Sequence, residues 1–390
     1  MFDAPCVTIL GVSSKRIETV VNAFSAVIKV PMPFVPIVST VSASSPKSKF
    51  PMVSVIVPCR NEERFIQQCL ESVLLQTYPL DRMEIIVVDG RSSDNTRHLI
   101  KDFVERNACV HFVDNPGLYA ASGLNCALSV AVGDVIIRVD AHATVATDFV
   151  EQNVALLRAH PEAWSVGGPI AHRGRGATGR AIAMAMSHPF GVGNARHRFL
   201  DYEGYVEGTA FPACWSWVFE TVGLYDECLI RNQDDDLSFR IRRQGGCIFM
   251  STAVRSTYYV RDRFGRLFRQ YLQYGFWKVA LMRKHSRVIS WRSMAPLLLV
   301  GSSCVSLAFL LFGPVYSAFV LAVPAVFYAI ANGVFTVRAL RNAPFGIAIR
   351  LPVAFVVMHL GYGFGLAYGL FRWMAGCGNR VPSRLSELSR

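Results

Sequence analysis

Val135-Ile136-Ile137-Arg138-Val139-Asp140-Ala141-His142 is the stretch that decides how this chain reads. A short β-branched apolar run predicts a buried strand. It stops in a carboxylate and, two residues later, an imidazole. In an open α/β sheet, ligands bind in the crevice outside the carboxyl ends of the strands. Asp140 and His142 are therefore expected at the mouth of a ligand crevice. As oxygen and nitrogen donors they suit a divalent cation such as Mg or Mn.

Working upstream, the pattern alternates strand and helix. Val53–Val57 predicts a strand stopped by Pro58, and Asn61–Glu63 opens a helix carrying Ile66, Cys69, Leu70, Val73 and Leu74 at helical spacing. Glu84–Val88 predicts a second strand ending at Asp89, with Gly90 and Ser92-Ser93-Asp94 as turn and cap before a helix over Thr96–Glu105. A short strand over Val110–Val113 and a helix over Leu118–Val132 lead into the opening stretch. Such alternation implies a mostly parallel, Rossmann-like sheet with right-handed crossovers. No G-x-G-x-x-G follows the first strand, which argues against a dinucleotide-binding oxidoreductase.

Working downstream, charge and hydropathy separate. The 390 residues are 52% hydrophobic and 17% charged, with a formal net charge of +12. Residues 240–292 hold thirteen Lys/Arg against one acid, Asp262, so this stretch carries the whole excess. No charged residue then occurs from Ser293 to Val337. A basic cluster beside a long apolar run is the positive-inside signature of membrane entry, and it argues against nucleic acid as the partner. The uncharged run reaches about 68 Å as helix. Gly313-Pro314 splits it into expected spans at 294–312 and 316–336, and Leu351–Phe371 is long enough for a third. The expected organisation is an extension of little structure over 1–50, an α/β domain over 51–255, and a basic amphipathic juxtamembrane segment over 256–292. A membrane region of two to three helices over 293–375 and a basic tail over 376–390 complete it. Thr19–Ile28 is too short to span a bilayer, and Ser and Pro dominate residues 39–48. Ten cysteines without a C-x-x-C pair argue for a reducing compartment. The positive-inside rule puts the α/β domain on the cytoplasmic side of the cell membrane, on a multi-pass anchor.

Several motifs, in order, carry a resemblance. Val-Ser-Val-Ile-Val-Pro-Cys-Arg-Asn-Glu at 53–62, Glu-Ser-Val-Leu-Leu-Gln-Thr-Tyr-Pro at 71–79 and Ile-Ile-Val-Val-Asp-Gly-Arg-Ser-Ser-Asp-Asn-Thr at 85–96 resemble the family 2 glycosyltransferases. Among these, the chain looks most like bacterial exopolysaccharide enzymes of the succinoglycan type. The resemblance covers about 53–280 and implies a GT-A fold acting on nucleotide-activated sugars. It implies nucleotide contact for Asp89, with Pro58, Arg60 and Glu62 lining the same end; Asn125 on the following helix is expected to face that pocket. Without it, Asp89 reads first as a turn or helix cap, since Gly90 and Ser92-Ser93-Asp94 follow. Asp140 and His142 occupy the place of the family's D-x-D motif, with His replacing the second Asp. They are the implied metal ligands, for a cation that offsets the charge developing on the leaving diphosphate.

Gln233-Asp234-Asp235-Asp236-Leu237-Ser238-Phe239-Arg240 resembles the family's Glu-Asp-x-x-Leu-x-x-Arg motif, with Gln in the Glu place. Asp234 is then the general base, with Asp235 and Asp236 as neighbouring alternatives; the plain reading is an acidic first helical turn. Gln270–Lys278 resembles the Q-x-x-R-W element of polysaccharide synthases, with Phe276 where Arg is usual. Gln273 and Trp277, at i and i+4, share a helix face and form a candidate platform for acceptor sugar or pyrophosphate. The segment Ser187–Asn194 reads equally as an active-site loop and as a plain connection.

The resemblance implies an inverting hexosyltransferase. Its expected donor is a UDP-sugar and its acceptor a lipid-linked saccharide or polysaccharide precursor at the membrane, with a polysaccharide-assembly complex as partner. The rival readings are a processive polysaccharide synthase, against which the absent Arg at 276 counts, and a catalytically impaired membrane scaffold.

Overall fold

The computed structural model describes residues 48–286, 294–309, 314–340 and 344–376, with side chains described outside 294 and 303–322. Nearly all of the expected N-terminal extension, and the tail from 377, lie outside the described residues.

Five strands build the nucleating half of the sheet. They are β1 (Val53–Cys59), β2 (Met83–Asp89), β3 (Val110–Asp114), β4 (Val135–Arg138) and, later in the chain, β9 (Ala210–Trp215). Strands β2 and β4 are buried on both faces, as near-continuous Val/Ile runs require. Helices α1 (Ile66–Leu74), α2 (Thr96–Arg106) and α3 (Ala120–Leu128) cover it, as the sequence periodicity predicts. Adding β6 (Ala163–Gly168), β10 (Cys247–Met250) and the short β8 (Gly204–Tyr205) completes an eight-stranded sheet of order β3-β2-β1-β4-β9-β6-β10-β8. Pairs β1/β2, β1/β4, β2/β3 and β6/β10 are parallel; β9 runs antiparallel between β4 and β6. A second sheet joins β5 (Ala143–Val145), β11 (Ser256–Tyr259) and β7 (Ile170–Arg173). Because β1, β2 and β4 are parallel, their carboxyl ends share one edge. There Cys59 pairs with Asp89, and Ile56 with Arg138.

The stretch after β7 differs from its sequence reading. Residues 176–187, for which the sequence reading names no element, form helix α5 (Gly176–Ser187). Its buried face is Ala181, Ile182, Ala183, Ala185 and Met186. Alanine is the best helix former but gives almost no hydrophobic contrast, so the period was hidden. The one-turn helix α6 (Pro189–Val192) follows, capped when Phe190 N–H donates to Nδ1 of His188 at 3.1 Å.

After α4 (Phe149–Ala159), α7 (Trp217–Val222) and α8 (Gln233–Arg243) comes the long helix α9 (Phe264–His285). The sequence predicts a helix lying on the membrane surface here. In the structure α9 is buried on more than one side, through Leu267, Gln270, Tyr271, Gln273, Gly275, Phe276, Trp277, Lys278, Val279 and Leu281. The apolar C-terminal elements are α10 (Met294–Phe309), α11 (Pro314–Ala339), the short α12 (Phe345–Ala348) and α13 (Leu351–Met374). Among the described residues one helical stretch, Phe345–Met374, is long and apolar enough to cross a membrane. Helix α10 has 16 residues, fewer than the ~20 that a span needs. Helix α11 carries Pro324 inside it, and its apolar described part is Val323–Ala339. The expected two to three spans are thus represented by one.

Glycines let α13 lie directly on α9. A Cβ on Gly275 would collide with the Tyr362 carbonyl, and one on Gly365 with that of Leu272. Gly361, Gly365 and Gly369 fall on one face at every fourth residue, the spacing of close helix crossings. His359 on the same helix bonds Tyr328 Oη at 2.8 Å and the Phe190 carbonyl at 2.9 Å.

Candidate active site

At the carboxyl edge of the sheet lies one cavity of 1310 Å³. Pro58, Arg60 and Glu62 line it beyond β1, Arg138, Asp140 and His142 beyond β4, and Gln233, Asp234 and Asp235 at the start of α8. Nine Lys/Arg face five Asp/Glu around its wall, which suits an anionic ligand.

Arg138 was quoted in the opening stretch but given no role. Its Nε and Nη2 hold Asp140 Oδ1 at 2.9 and 2.8 Å. A charged side chain inside an apolar strand run demands a partner, so the signal was present in the sequence. His142 presents Nδ1 to Glu62 Oε1 at 3.0 Å and meets the Tyr258 ring edge-on at 4.7 Å. Glu62, expected at the nucleotide, is thus committed to His142. A carboxylate on one ring nitrogen is how histidine ligands to metals are usually oriented. By donor chemistry, Asp140 and His142 would suit a divalent cation. No group of three or more His, Cys, Asp and Glu suited to a metal occurs among the described residues.

Helix α8 begins at Asn232, which adopts φ +63° and donates Nδ2–H to the Tyr274 carbonyl at 3.2 Å. Arg231 Nε–H donates to Gln273 Oε1 at 3.3 Å. Trp277 packs with Leu229, Phe276 and Leu281. Gln273 and Trp277 therefore fasten the loop that carries Asp234 and do not line the cavity; their neighbours Tyr274 and Lys278 do. Gln273 and Trp277 share a helix face as expected from their spacing, but the cavity lies one residue around the helix.

The three aspartates of α8 have three environments. Asp236 is fully buried and takes Arg240 Nε at 2.9 Å, His285 Nε2 at 2.8 Å and Lys284 Nζ at 2.9 Å. Asp235 pairs with Lys278 Nζ at 2.5 Å. Asp234 has no ion pair among the described residues, and its Oδ1 accepts from the Asp235 N–H at 2.9 Å. It is exposed to the cavity but enclosed by the protein around it. That enclosure, and then the adjacent Asp235, raise its carboxyl above the usual range, against the opposing pull of Arg138.

Two expected nucleotide contacts fall elsewhere. Asp89 is 0% exposed. It accepts from Ser92 N–H and Oγ at 3.0 and 2.5 Å and lies 3.5 Å from Arg97 Nε. It caps its own turn and is not on the cavity wall. Asn125 is also off the wall; it ties down residues 225–227 by donating to the Tyr225 carbonyl and Glu227 Oε1 and accepting from Tyr225 N–H.

Residues 54–210 match the family model for glycosyl transferase family 2. This stretch is a family 2 glycosyltransferase domain. Over 318 residues the chain is 29% identical to the succinoglycan biosynthesis protein ExoA of Rhizobium meliloti (strain 1021), covering 80% of this chain and 92% of that one. Over 332 residues it is 25% identical to a Methanococcus voltae enzyme, dolichyl N-acetyl-alpha-D-glucosaminyl phosphate 3-beta-D-2,3-diacetamido-2,3-dideoxy-beta-D-glucuronosyltransferase, covering 82% and 97%. The fold is similar to that of the mannosyltransferase PcManGT from Pyrobaculum calidifontis, at a TM-score of 0.52 and 19% identity over 91% of this chain and 98% of that one. The GT-A-like, mostly parallel α/β architecture of the glycosyltransferase domain stands on that likeness.

Proposed function

We propose that this glycosyltransferase moves a hexose from a nucleotide-sugar, a UDP-sugar in the first instance, to a lipid-linked saccharide at the cytoplasmic face of the cell membrane, with inversion. The observation that carries the reading is Asp234. It is the one aspartate of the α8 run without an ion pair among the described residues, and it faces the same cavity as Arg138, Asp140 and His142.

The acceptor hydroxyl gives its proton to Asp234 as its oxygen attacks the anomeric carbon. The bond from that carbon to the donor phosphate breaks, and the nucleoside diphosphate leaves from the opposite face, so the configuration inverts. A raised carboxyl pKa makes Asp234 a better proton acceptor at the moment of attack. A divalent cation on Asp140 and His142 would offset the charge growing on the leaving diphosphate. Arg138 fixes Asp140, and Glu62 fixes His142. Pro58 and Arg60 line the cavity beyond β1, which supports a role in holding the nucleotide. Phe345–Met374 supplies an anchor, and the positive-inside rule favours a cytoplasmic domain.

Nucleotide release by detergent-solubilised protein, across UDP- and GDP-sugars with Mn or Mg, tests the reading. The GDP-sugars are included because the PcManGT structure contains GDP-Man and Mn2+. Turnover of one donor, lost in Asp234→Asn, supports it, and NMR of the product anomer reads the stereochemistry. No turnover of any donor, even with membrane lipid extract as acceptor, would favour the scaffold reading.

A further inference from the structure

The cavity exceeds the roughly 300–1,000 Å³ of a pocket built for one ligand. Beyond the α8 carboxylates it continues into a second lobe, lined by His172 of β7, Met186 of α5, the turn Arg196–Arg198, and Tyr258 of β11. Tyr258 joins the two lobes: its ring lies 4.7 Å from that of His142 and 5.8 Å from that of His172.

Arg198 is the centre of this lobe. Its guanidinium donates to His197 Nε2 at 3.3 Å and to the Met186 carbonyl and Tyr271 Oη at 3.5 Å. No carboxylate pairs with it among the described residues. His172 cannot offset it either. Burial first, then Arg198 and His197, hold its imidazole well below the ordinary value, so it is neutral. It bonds Ser187 Oγ through Nδ1 at 3.0 Å. A half-buried cation on a cavity wall without a counter-charge attracts an anion into the lobe.

The segment that carries Arg198 also touches the apolar helices. Eight to ten residues earlier, His188 and Phe190 sit against Phe335 of α11 and Phe355 of α13, at ring distances of 4.8–5.6 Å. The Phe190 carbonyl accepts from His359 of α13 at 2.9 Å. Tyr271, which takes the Arg198 bond, packs in one cluster with Leu351, Ala354, Phe355 and Met358. The uncompensated cation therefore stands where the catalytic domain meets the candidate membrane span.

We propose that Arg198, held from behind by the Tyr271 hydroxyl, binds the phosphate or diphosphate head of the membrane-held acceptor, whose hydrocarbon tail leaves toward α13. This rests on the transferase reading and deepens it by assigning the acceptor a phosphate subsite apart from that of the donor.

The test uses the full chain in lipid nanodiscs, with farnesyl diphosphate, inorganic pyrophosphate, UDP and GDP as probes in calorimetric titrations. Wild type is expected to bind farnesyl diphosphate. Arg198→Gln should weaken that binding about 10-fold or more, and Arg198→Lys less, since it keeps the charge and loses the fork. Binding of UDP or GDP should be unchanged in both variants. Should Arg198→Gln fail to fold, Arg198→Lys alone carries the comparison. Equal weakening of nucleoside diphosphate binding would assign Arg198 to the donor and overturn the inference. So would wild type that ignores farnesyl diphosphate, or binds pyrophosphate equally tightly, which marks a free-anion site. If neither UDP nor GDP binds while farnesyl diphosphate does in an Arg198-dependent way, the donor reading fails and the phosphate site stands.

Discussion

Nδ1 of His142 lies 3.0 Å from Oε1 of Glu62, across the mouths of two parallel strands. A carboxylate only accepts, so Nδ1 is the donor, and Nε2 is the ring nitrogen left to face a metal ion. Glu62→Ala is expected to weaken Mn2+ binding about 10–100-fold, with Glu62→Gln in between. Electron paramagnetic resonance of free Mn2+, titrated in the presence of UDP, reads this without any turnover. Unchanged Mn2+ binding in Glu62→Ala would leave Glu62 a packing residue.

Asp234 should control both rate and pH dependence. Asp234→Asn is expected to lower kcat about 10²–10⁴-fold, the usual worth of a general base. Because its carboxyl is raised, wild-type activity should fall on the acid side at a pH above the ordinary Asp value of about 3.9. Asp235→Asn should keep that limb but move it toward lower pH, since the Asp235 charge helps to raise Asp234; loss of the limb there would move the base one residue on.

The same shift has a stability consequence of fixed sign. A folded-state pKa above the unfolded one means that folding favours the protonated form. The stability contribution is full below the unfolded pKa and is lost as pH rises through the folded one. Asp234→Asn, neutral throughout, should therefore melt above wild type at pH 8, with the gap closing toward pH 4. Tm by intrinsic fluorescence in detergent at the two pH values checks this. An unchanged Tm at pH 8 would contradict it.

Asp236 should behave oppositely. Three cationic or titratable side chains converge on this fully buried carboxylate. Breaking such a group strands buried charge and costs about 3–5 kcal/mol. Asp236→Ala is expected to lower Tm and yield, while the folded fraction keeps donor hydrolysis. Loss of hydrolysis at unchanged Tm would place Asp236 in the chemistry.

Gly275 tests whether the apolar helix is docked on the catalytic domain. Its missing Cβ is the space occupied by the Tyr362 backbone. Backbone cannot rotate aside, so Gly275→Ala must separate α9 from α13, at about 1–3 kcal/mol. Gly265 on the same helix meets nothing nearby, and Gly265→Ala is the matched control. Limited proteolysis between residues 286 and 294 should accelerate in Gly275→Ala alone.

The sequence by itself determined the α/β order, the edge that carries Asp140 and His142, and the α8 carboxylate run. These are local signals: β-branched runs, turn residues and a helix period, each read within about ten residues. The tertiary structure decided which of those residues reach the cavity. Asp89 has the right strand end, but Ser92 and Arg97 fold back onto it. Asn125 has the right helix, but residues 225–227 cover it. Gln273 and Trp277 have the right face, but a loop forty residues earlier packs there first. Arg198 shows no motif at all; only the convergence of β7, α5, α9 and the turn leaves its charge without a carboxylate among the described residues. Which groups stay uncompensated depends on contacts between segments far apart in the chain, and no window of sequence contains them.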